Sequence, residues 1–215
     1  VLDSGNFTIK SQRVVLCTNG FETIRIFNKK GLDIDTSFHH TLLGTVGYMS
    51  GYLEEMTKQP AVFYYHTDPD ASIEDPYFYL TRRMYEYNEN KHNLISVGGP
   101  EINLEDMREY ESDREYPDKA REEIDSFVKK AYERHKDKDI EYIFTWHGLM
   151  GYTPNRIRRI GSEPLNPVLL YNLGCNGIGI LPSIYGGSRI SKILKGEKLV
   201  PSIFDPHDQS ATSKL

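Results

Sequence analysis

The strongest fold signal in the sequence lies at residues 168–194, which read VLLYNL-GCNGIG-ILPSIYGGSRISKIL. Its first six residues are almost all apolar, which is typical of a strand buried on both faces. Glycines at three of the next six positions predict a tight turn. The pattern over 180–194 predicts a helix, in which Pro182 is tolerated because it falls in the first turn. Lys195 and Gly196 supply a cation and a C-cap glycine, so we expect the helix to end there.

The turn at 174–179 could bind a negatively charged atom or simply connect a strand to a helix. Free N–H groups at a helix start favour an anion, by roughly 0.3–1 kcal/mol when exposed and up to about 2 kcal/mol when partly buried. The glycine order does not match the Gly-x-Gly-x-x-Gly dinucleotide fingerprint, and P-loop spacing is absent. From the residues alone, both interpretations stay open.

The rest of the chain predicts a sheet-rich domain with one helix packed on it. Apolar residues recur at spacings of three and four after Pro117, which predicts an amphipathic helix over 117–135. We expect a turn at 11–12 to join the first two strands, and the strand at 94–97 to stop at Gly98-Gly99-Pro100. The predicted fold class is α+β / α/β. Strand patterns occur at 7–10, 13–17, 62–66, 77–87, 94–97 and 141–146.

Composition excludes several classes of protein. The 215 residues are 38% hydrophobic and 27% charged, which suits a packed core and argues against wholesale disorder. No run approaches the roughly 20 apolar residues of a membrane helix, and a net charge of -5 argues against a nucleic-acid binder. Cys17 and Cys175 stand alone, so we predict a reducing, cytoplasmic location. No metal site is predicted, because adjacent His39 and His40 would point to opposite faces of a strand.

Four ordered segments of the chain together carry a resemblance to a known enzyme family. They are RVVLCTNG (13–20), LISVGG (94–99), WHGLMGYTPN (146–155) followed by Ile160-Gly161, and NLGCNGIG (172–179) followed by GGSRI (186–190). In this order they resemble FAD-dependent oxidoreductases of the D-amino-acid-oxidase/glycine-oxidase superfamily. The first resembles the strand that returns to the FAD domain, and the second resembles a substrate-domain strand. The last two resemble the Trp-x-Gly…Thr-Pro-Asp…Ile-Gly segment and the final FAD-contacting turn and helix.

The resemblance implies three parts. Residues 1–37 and 151–215 would be remnants of a Rossmann-like FAD domain, and 38–150 would be an antiparallel-sheet substrate domain. The family's opening βαβ unit has no counterpart in this sequence, and the chain begins without Met. We therefore expect the C-terminal half of such an enzyme, with residues 1–25 and 151–200 together in space.

The resemblance also implies a cofactor site. The amides of Gly177, Ile178 and Gly179 would face N1 and O2 of the flavin. Covalent members of the family carry a Cys near position 148 and amino-acid oxidases carry an Arg there. Neither is present, so noncovalent FAD is expected and an α-amino-acid substrate is in doubt. The FAD contacts implied are Gly148, Gly161, Gly174, Asn176, Gly177, Ile178 and Gly179.

Substrate and catalytic residues are less clearly indicated. Tyr79, Arg82 and Met150 are the predicted substrate contacts. No catalytic residue is assigned, and Trp146 and His147 are the candidates.

The leading hypothesis is an FAD-dependent oxidoreductase, represented by its C-terminal portion, that removes a hydride from the carbon next to an amine nitrogen. The partners expected are a small-molecule amine and, through uncovered strands at 14–16 and 168–173, the missing half or a second copy. The alternative is a non-catalytic binding or assembly module, or a subunit completed by another chain that carries the nucleotide-binding half. A third reading is a Cys- or Ser-dependent hydrolase, with Cys175 beside the helix start.

Overall fold

The computed structural model describes residues 2–3, 5–20, 24–28, 30–32, 41–56, 59–66, 70, 77–132, 135–164 and 166–206. The pair His39 and His40 lies outside these residues. The chain divides into two compact units. Unit 1 comprises Val1–Thr45, Leu104–Glu109 and Leu149–Leu215, and unit 2 comprises Val46–Asn103 and Tyr110–Gly148.

Strands dominate both units, and two α-helices are found among the described residues. The helices are α1 (Asp118–Ala131) and α2 (Ile180–Leu194), with a short 3₁₀ turn at Met107–Glu109. The strands are β1 (Leu2–Asp3), β2 (Thr8–Ile9), β3 (Val14–Leu16), β4 (Leu43–Glu55), β5 (Ala61–Tyr65), β6 (Phe78–Tyr87), β7 (Asn90–Asn103), β8 (Phe144–Tyr152), β9 (Arg159–Ser162) and β10 (Leu169–Leu173).

Unit 1 contains a three-stranded sheet in the order β3-β10-β9. β3 runs parallel to β10, with Val14 opposite Leu169, and β9 runs antiparallel to β10. The expectation that residues 1–25 and 151–200 meet is therefore confirmed for these strands. The division into 1–37, 38–150 and 151–215 stays a prediction.

Two expectations for the first strands are wrong. β2 pairs with β1 rather than with β3, so no turn at 11–12 forms a hairpin with the next strand. β3 is also not buried on both faces, because Val15 is exposed. The reason is that β3 is an edge strand, paired in the described residues with β10 only.

α2 has the predicted bounds and packs on β10. Asn172 on β10 donates from Nδ2 to the carbonyl of Ser183 at 3.1 Å. A Cβ on Gly186 would lie 2.4 Å from Oδ1 of Asn172, so only glycine lets the helix approach this closely. Gly196 follows the helix with φ of 75°, as a C-cap glycine should.

Unit 2 is built on a five-stranded sheet in the order β5-β6-β7-β4-β8. β5, β6 and β7 are antiparallel neighbours, and Asn88 and Glu89 make the turn between β6 and β7 with positive φ values. β4 is not predicted by the sequence analysis, and the chain passes between the units within β4 and β8.

β7 contradicts the expected end at Gly98-Gly99-Pro100, since it continues to Asn103. The two glycines are seats for aromatic rings on opposite faces of the sheet. A Cβ on Gly98 would lie 2.4 Å from Cζ of Tyr79, and one on Gly99 would lie 2.6 Å from Cδ1 of Phe78. Cross-strand rings replace the missing side chains, so the glycines do not interrupt the strand.

One face of the unit 2 sheet holds the core, and we call it the helix face. α1 follows Pro117, which occupies the N-cap position rather than the first helical one. The predicted strand at 141–146 is displaced, because β8 runs over Phe144–Tyr152. The buried core comprises Tyr52, Leu80, Ile95, Val97, Ile124, Phe127 and Val128.

Candidate functional site

The connection from β10 to α2 in unit 1 is a tight turn with left-handed backbone. The amide of Ile178 donates to the carbonyl of Cys175 at 3.1 Å, and the two residues between have φ of 51° (Asn176) and 76° (Gly177). Two successive positive φ values define a type I′ turn, which suits Asn-Gly. Gly174 before it also has positive φ, at 83°.

Asn176 binds this turn to the segment that follows β8. Its Oδ1 accepts the backbone amide of Thr153 at 2.8 Å, and its Nδ2 donates to the carbonyl of Arg156 at 3.0 Å. Its own amide donates to the carbonyl of Gly151 at 3.1 Å. Both ends of this side chain are therefore used by protein backbone. Its predicted role as an FAD contact stays a prediction for its main-chain carbonyl alone.

Asn19 makes a second clamp of the same kind, which the sequence analysis missed. It has φ of 54°, donates from Nδ2 to the carbonyl of Leu149 at 3.0 Å and accepts the amide of Gly151 at 3.1 Å. The available signal was the dipeptide Asn19-Gly20, which matches Asn176-Gly177 in composition and in left-handed asparagine backbone.

The backbone amides at the start of α2 are the hydrogen-bond donors that this turn can offer to a ligand. The expectation for Ile178 needs correction, because its amide is already bonded within the turn. In the described part of the chain, the amides of Gly177, Gly179, Ile180 and Leu181 have no acceptor. Gly177, Ile178, Ile180 and Leu181 are exposed there, whereas Gly179 is half-buried. Unused donors at the start of a 15-residue helix fit an acceptor-rich group such as the pyrimidine edge of a flavin.

Gly177 has no room for a side chain. A Cβ there would lie 2.9 Å from Oη of Tyr152, whose ring is covered by the guanidinium of Arg156 at 4.5 Å from its centroid. Gly174 is equally crowded, with Cγ2 of Thr153 at 2.7 Å from the Cβ position. These two predicted positions are therefore brought together by packing against the 152–156 segment.

Gly161 lies on β9, opposite Tyr171, and has φ of 147°. Its Cβ position is 2.9 Å from Cδ of Pro206. The amide of Ile160 donates to the carbonyl of Phe204 at 2.8 Å, so residues near 204 run beside β9. The face of Gly161 that a Cβ would occupy is thus covered by Pro206, and its predicted FAD contact stays a prediction.

Arg158 is a buried cation that sequence reasoning missed. Its side chain is 6% exposed, and Nη2 donates to Oδ1 of Asn172 at 3.2 Å and to Oγ of Ser183 at 2.9 Å. Burial lowers the pKa of this guanidinium. Burial also raises the pKa of Cys17, and the Arg158 charge opposes that shift. Arg158 therefore joins the 153–158 segment to β10 and to the first turns of α2.

The described residues of unit 1 offer no observation that supports the hydrolase hypothesis. In the described residues, no base is hydrogen-bonded to the Cys175 thiol, which an activated nucleophile requires. No group of three or more potential metal ligands occurs in that part of the chain either. Neither α1 nor α2, the helices that the structure describes, has the length and apolarity to cross a membrane.

The face of the unit 2 sheet opposite α1, which we call the far face, carries three of the predicted residues. Register places Tyr79 opposite Gly98 there, and the ring of Phe144 meets that of Tyr85 on the same face at 5.6 Å. Since alternate residues share a face, Trp146 and Gly148 follow Phe144 onto it. The space beyond Gly148 is open, because nothing lies within 4 Å of its Cβ position. Met150 alternates with Gly148 along β8 but belongs to unit 1.

His147 lies on the helix face instead. Its Nε2 is 2.9 Å from the carbonyl of Arg114, so Nε2 is the donor, and Nδ1 is 3.2 Å from the hydroxyl of Tyr110. Both ring nitrogens are thereby used, and the ring also lies 5.8 Å from that of Tyr48. The two ring nitrogens of His147 are thus bonded within unit 2, and its catalytic role stays a prediction.

Arg82 also lies on the helix face, by alternation from Tyr79. Its Nε donates to the carbonyl of Gln59 at 3.0 Å. Arg83 is the arginine that shares the far face with Tyr79 and Tyr85, and it is exposed. Period-two alternation along the predicted strand at 77–87 already places Arg83, and not Arg82, on the face of Tyr79. The sequence leaves open only which of the two faces packs against α1.

The described residues form a mixed α/β fold, with a largely antiparallel sheet in unit 2 and, in unit 1, a glycine turn rich in hydrogen-bond donors that precedes a helix. The chain belongs to the FAD dependent oxidoreductase family (DAO), whose model matches residues 1–193. FAD is the cofactor of that family. No curated protein sequence matches the chain.

Solved structures show the same fold at low identity. Glycine oxidase from Geobacillus kaustophilus superposes with a TM-score of 0.50 at 12% identity, over 77% of this chain and 39% of its own. A double-cysteine mutant of Amadoriase I from Aspergillus fumigatus gives a TM-score of 0.50 at 16% identity, over 81% of this chain and 40% of its own. The chain thus spans about two fifths of the length of these neighbours.

Proposed function

We propose that the chain is the C-terminal portion of an FAD-dependent oxidoreductase that oxidises a C–N bond of an amine or amino-acid-like substrate. The observation that carries the proposal is the set of amides without acceptors at Gly177, Gly179 and the start of α2. Family membership supports the cofactor. The name of one structural neighbour, glycine oxidase, supports an amine as substrate, since glycine is a primary amine.

The turn would serve as the hydrogen-bond donor set for the flavin pyrimidine edge. Bound FAD supplies the hydride acceptor. The amides of Gly177 and Gly179 are fixed before binding, because Asn176 and the type I′ turn hold the backbone. Preorganised donors favour negative charge near them without reorganisation, which is the term that most assists such chemistry. With Gly at 148, no thiol stands at the position where related enzymes tether flavin, so the binding would be noncovalent.

Substrate contacts would come from the far face of unit 2. Tyr79 and Trp146 present aromatic surface there, and Gly148 leaves space above β8. Arg83 replaces Arg82 as the candidate partner for a substrate anion, because Arg82 is bonded to Gln59 on the other face. The proton in such a reaction is not assigned to His147, since both of its ring nitrogens are bonded to protein.

This chain alone would bind FAD weakly and have no oxidase activity. A helix N-terminus contributes about 2 kcal/mol at most, whereas micromolar binding requires about 8 kcal/mol. The difference would come from pyrophosphate and adenosine contacts in a dinucleotide-binding unit. Cytoplasmic location remains part of the proposal.

A second candidate function is a subunit completed by another chain. Ile178, Ile180, Leu181 and Ile184 are apolar and well exposed around the helix start, and such a surface marks a contact with another protein segment. Here the same turn would bind FAD only in the assembled complex.

A flavin titration tests the proposal. Flavin fluorescence is followed with the 215-residue chain and with a longer chain that includes a Gly-x-Gly-x-x-Gly unit, and stoichiometric micromolar binding is expected only for the longer one. In the longer chain, Gly177→Ala is expected to weaken flavin binding at least tenfold. Gly187→Ala is the matched control, because Gly187 has open space at its Cβ position and lies inside α2. Tight binding by the short chain, or equal binding by both variants, would contradict the proposal.

A further inference from the structure

The outermost strand of the unit 2 sheet presents four consecutive exposed apolar side chains, which we call the edge surface. Val62, Phe63, Tyr64 and Tyr65 of β5 are 61%, 51%, 71% and 45% exposed. Within the described residues, β5 pairs on one side only, with β6. As far as the structure describes the chain, the edge surface combines unpaired strand backbone with apolar side chains on both faces.

Edges of this kind are normally protected. Proteins place charged side chains, prolines or bulges on exposed edge strands, because an unpaired strand is a template for another strand. β5 (Ala61–Tyr65) contains none of these devices. The absence of protection along all five residues points to an edge that pairs rather than one that avoids pairing.

We propose that the edge surface binds a second copy of this chain, through antiparallel pairing of β5 with its counterpart about a two-fold axis at Phe63. That arrangement is self-complementary, as a two-fold interface must be. Phe63 would face Phe63 of the second copy, and Val62 would face Tyr64. Aromatic pairs and aromatic–β-branched pairs are favourable cross-strand neighbours. β5 carries no charge, so two copies of an acidic chain meet there without direct repulsion.

The size of the surface sets the strength of the association. The exposed parts of the four side chains amount to roughly 400 Å² per copy, given the area of aromatic side chains. Even if all of that area were buried, the interface would lie below the range of stable complexes and among transient ones. We expect a weak, reversible dimer, with a dissociation constant at or above the micromolar limit of larger interfaces.

The exposed start of α2 is the competing apolar surface. Leu181 there is 76% exposed. A helix end offers no row of self-complementary backbone groups, which is the reason for preferring β5. The proposal for β5 does not depend on the oxidoreductase function, and its test needs neither flavin nor turnover.

Sedimentation velocity of the 215-residue chain, at protein concentrations from about 10 to about 500 μM, tests for the weak association expected of a small interface. Phe63→Lys and Tyr64→Lys, which point to opposite faces of β5, are each expected to weaken dimerisation at least tenfold. Leu181→Lys is the matched control and is expected to leave it unchanged. A monomer at every concentration, or a dimer lost with Leu181→Lys but kept with Phe63→Lys, would overturn the proposal.

Cross-linking gives a measurement that does not rely on loss of folding. Phe63→Cys is introduced in a chain with Cys17→Ser and Cys175→Ser, and oxidised with a small-molecule disulfide. Residues directly opposite in an antiparallel pair have Cβ atoms about 4.5–5.5 Å apart, so a disulfide-linked dimer is expected. Leu181→Cys in the same background is expected to remain monomeric. Equal cross-linking of the two variants would contradict pairing through β5.

Discussion

Gly98 in unit 2 and Gly177 in unit 1 both lie against a tyrosine, yet they are glycines for different reasons. A Cβ at 98 would lie 2.4 Å from Cζ of Tyr79, and one at 177 would lie 2.9 Å from Oη of Tyr152. Gly98 has extended backbone within β7, whereas Gly177 has φ of 76°. The first glycine makes room for a ring, and the second makes a backbone conformation that L-residues avoid.

The difference teaches how each unit is organised. In unit 2, aromatic rings from the neighbouring strand fill the space beside glycines, which have no side chain of their own. The turn in unit 1 is fixed by backbone dihedrals and by asparagine side chains that bind backbone groups. Steric conflict with a ring can be relieved by shortening the neighbouring side chain. Strain from a positive φ belongs to the substituted residue itself, so no change in a neighbour removes it.

The largest effect is expected from Asn176→Ala, which removes the clamp on the left-handed turn. The buried amide of Thr153 would lose its partner, at a cost on the order of 2–3 kcal/mol. The carbonyl of Arg156 is exposed, so water can replace the partner that it loses. Urea unfolding of the chain measures it, with hydrogen exchange locating the loss to unit 1 peptides. Asn155→Ala, which removes only a local bond to the amide of Ile157, is the control. Similar losses for both variants would argue against a clamp.

The next effect is expected from Gly98→Ala, at about 1–3 kcal/mol, because the ring of Tyr79 must leave its seat. Tyr79→Ala in the same chain should recover most of that loss, since it removes the obstructing ring. A double-mutant cycle in urea measures the coupling between the two positions. Additive losses would mean that the constraint at 98 lies in the backbone after all.

A smaller effect, about 1–2 kcal/mol, is expected from Gly177→Ala, chiefly from left-handed backbone strain. Tyr152→Phe removes the nearest atom but leaves φ unchanged, so it should recover little of the loss. The same unfolding measurement as for Gly98 compares the two cycles directly. Full recovery of the unfolding free energy with Tyr152→Phe would mean that steric contact, and not backbone strain, is the constraint at Gly177 as well.

The smallest effect concerns the aromatic core of unit 2 at high pH. Burial, together with the charge of Asp125, raises the pKa of Tyr142. A group whose pKa is raised by folding contributes stability below its unfolded pKa of about 10, and that contribution is lost as pH rises further. The unfolding free energy should therefore fall above pH ~10, by less than about 1.4 kcal/mol per pH unit because the ring is partly exposed.

Tyr142→Phe is the comparison for this pH dependence. The phenylalanine cannot ionise, so its unfolding free energy should fall less steeply between pH ~9 and pH ~11. Lys129→Met, which removes a neighbouring cation bonded to Asp125 without removing the phenol, controls for general charge effects. Parallel pH profiles for the native chain and Tyr142→Phe would exclude this source of pH dependence.

Elements that are bounded by turn and capping residues are predictable from this sequence. α2 has the predicted bounds because a glycine turn precedes it and Lys195-Gly196 follows it. β4 was missed because Gly44, Gly47 and Gly51 lower strand propensity within it, although its pairing partners stabilise the strand. The predicted strand at 94–97 stops short of the end of β7 for the same reason, since only the folded sheet supplies the rings that cover Gly98 and Gly99.

The glycines of the candidate site were predictable, but their partners were not. Positive φ at Gly174 and Gly177 follows from a local turn, whereas the bonds of Asn19 and Arg158 depend on pairing between distant segments. Alternation along β6 separates Arg82 from Tyr79 and could be read from the sequence, whereas the face that packs against α1 depends on the folded sheet.

The parallel pairing of Val14 with Leu169 has a consequence for synthesis of the chain. All residues of unit 2 have been made once Gly148 is added, whereas the sheet of unit 1 cannot close until β10 emerges. Pairings between segments so far apart in sequence form slowly, and domains generally fold as units in the order of translation. We expect nascent chains arrested once Gly148 has left the ribosome, with β10 still inside it, to protect the aromatic sheet from protease while β3 remains without its partner strand.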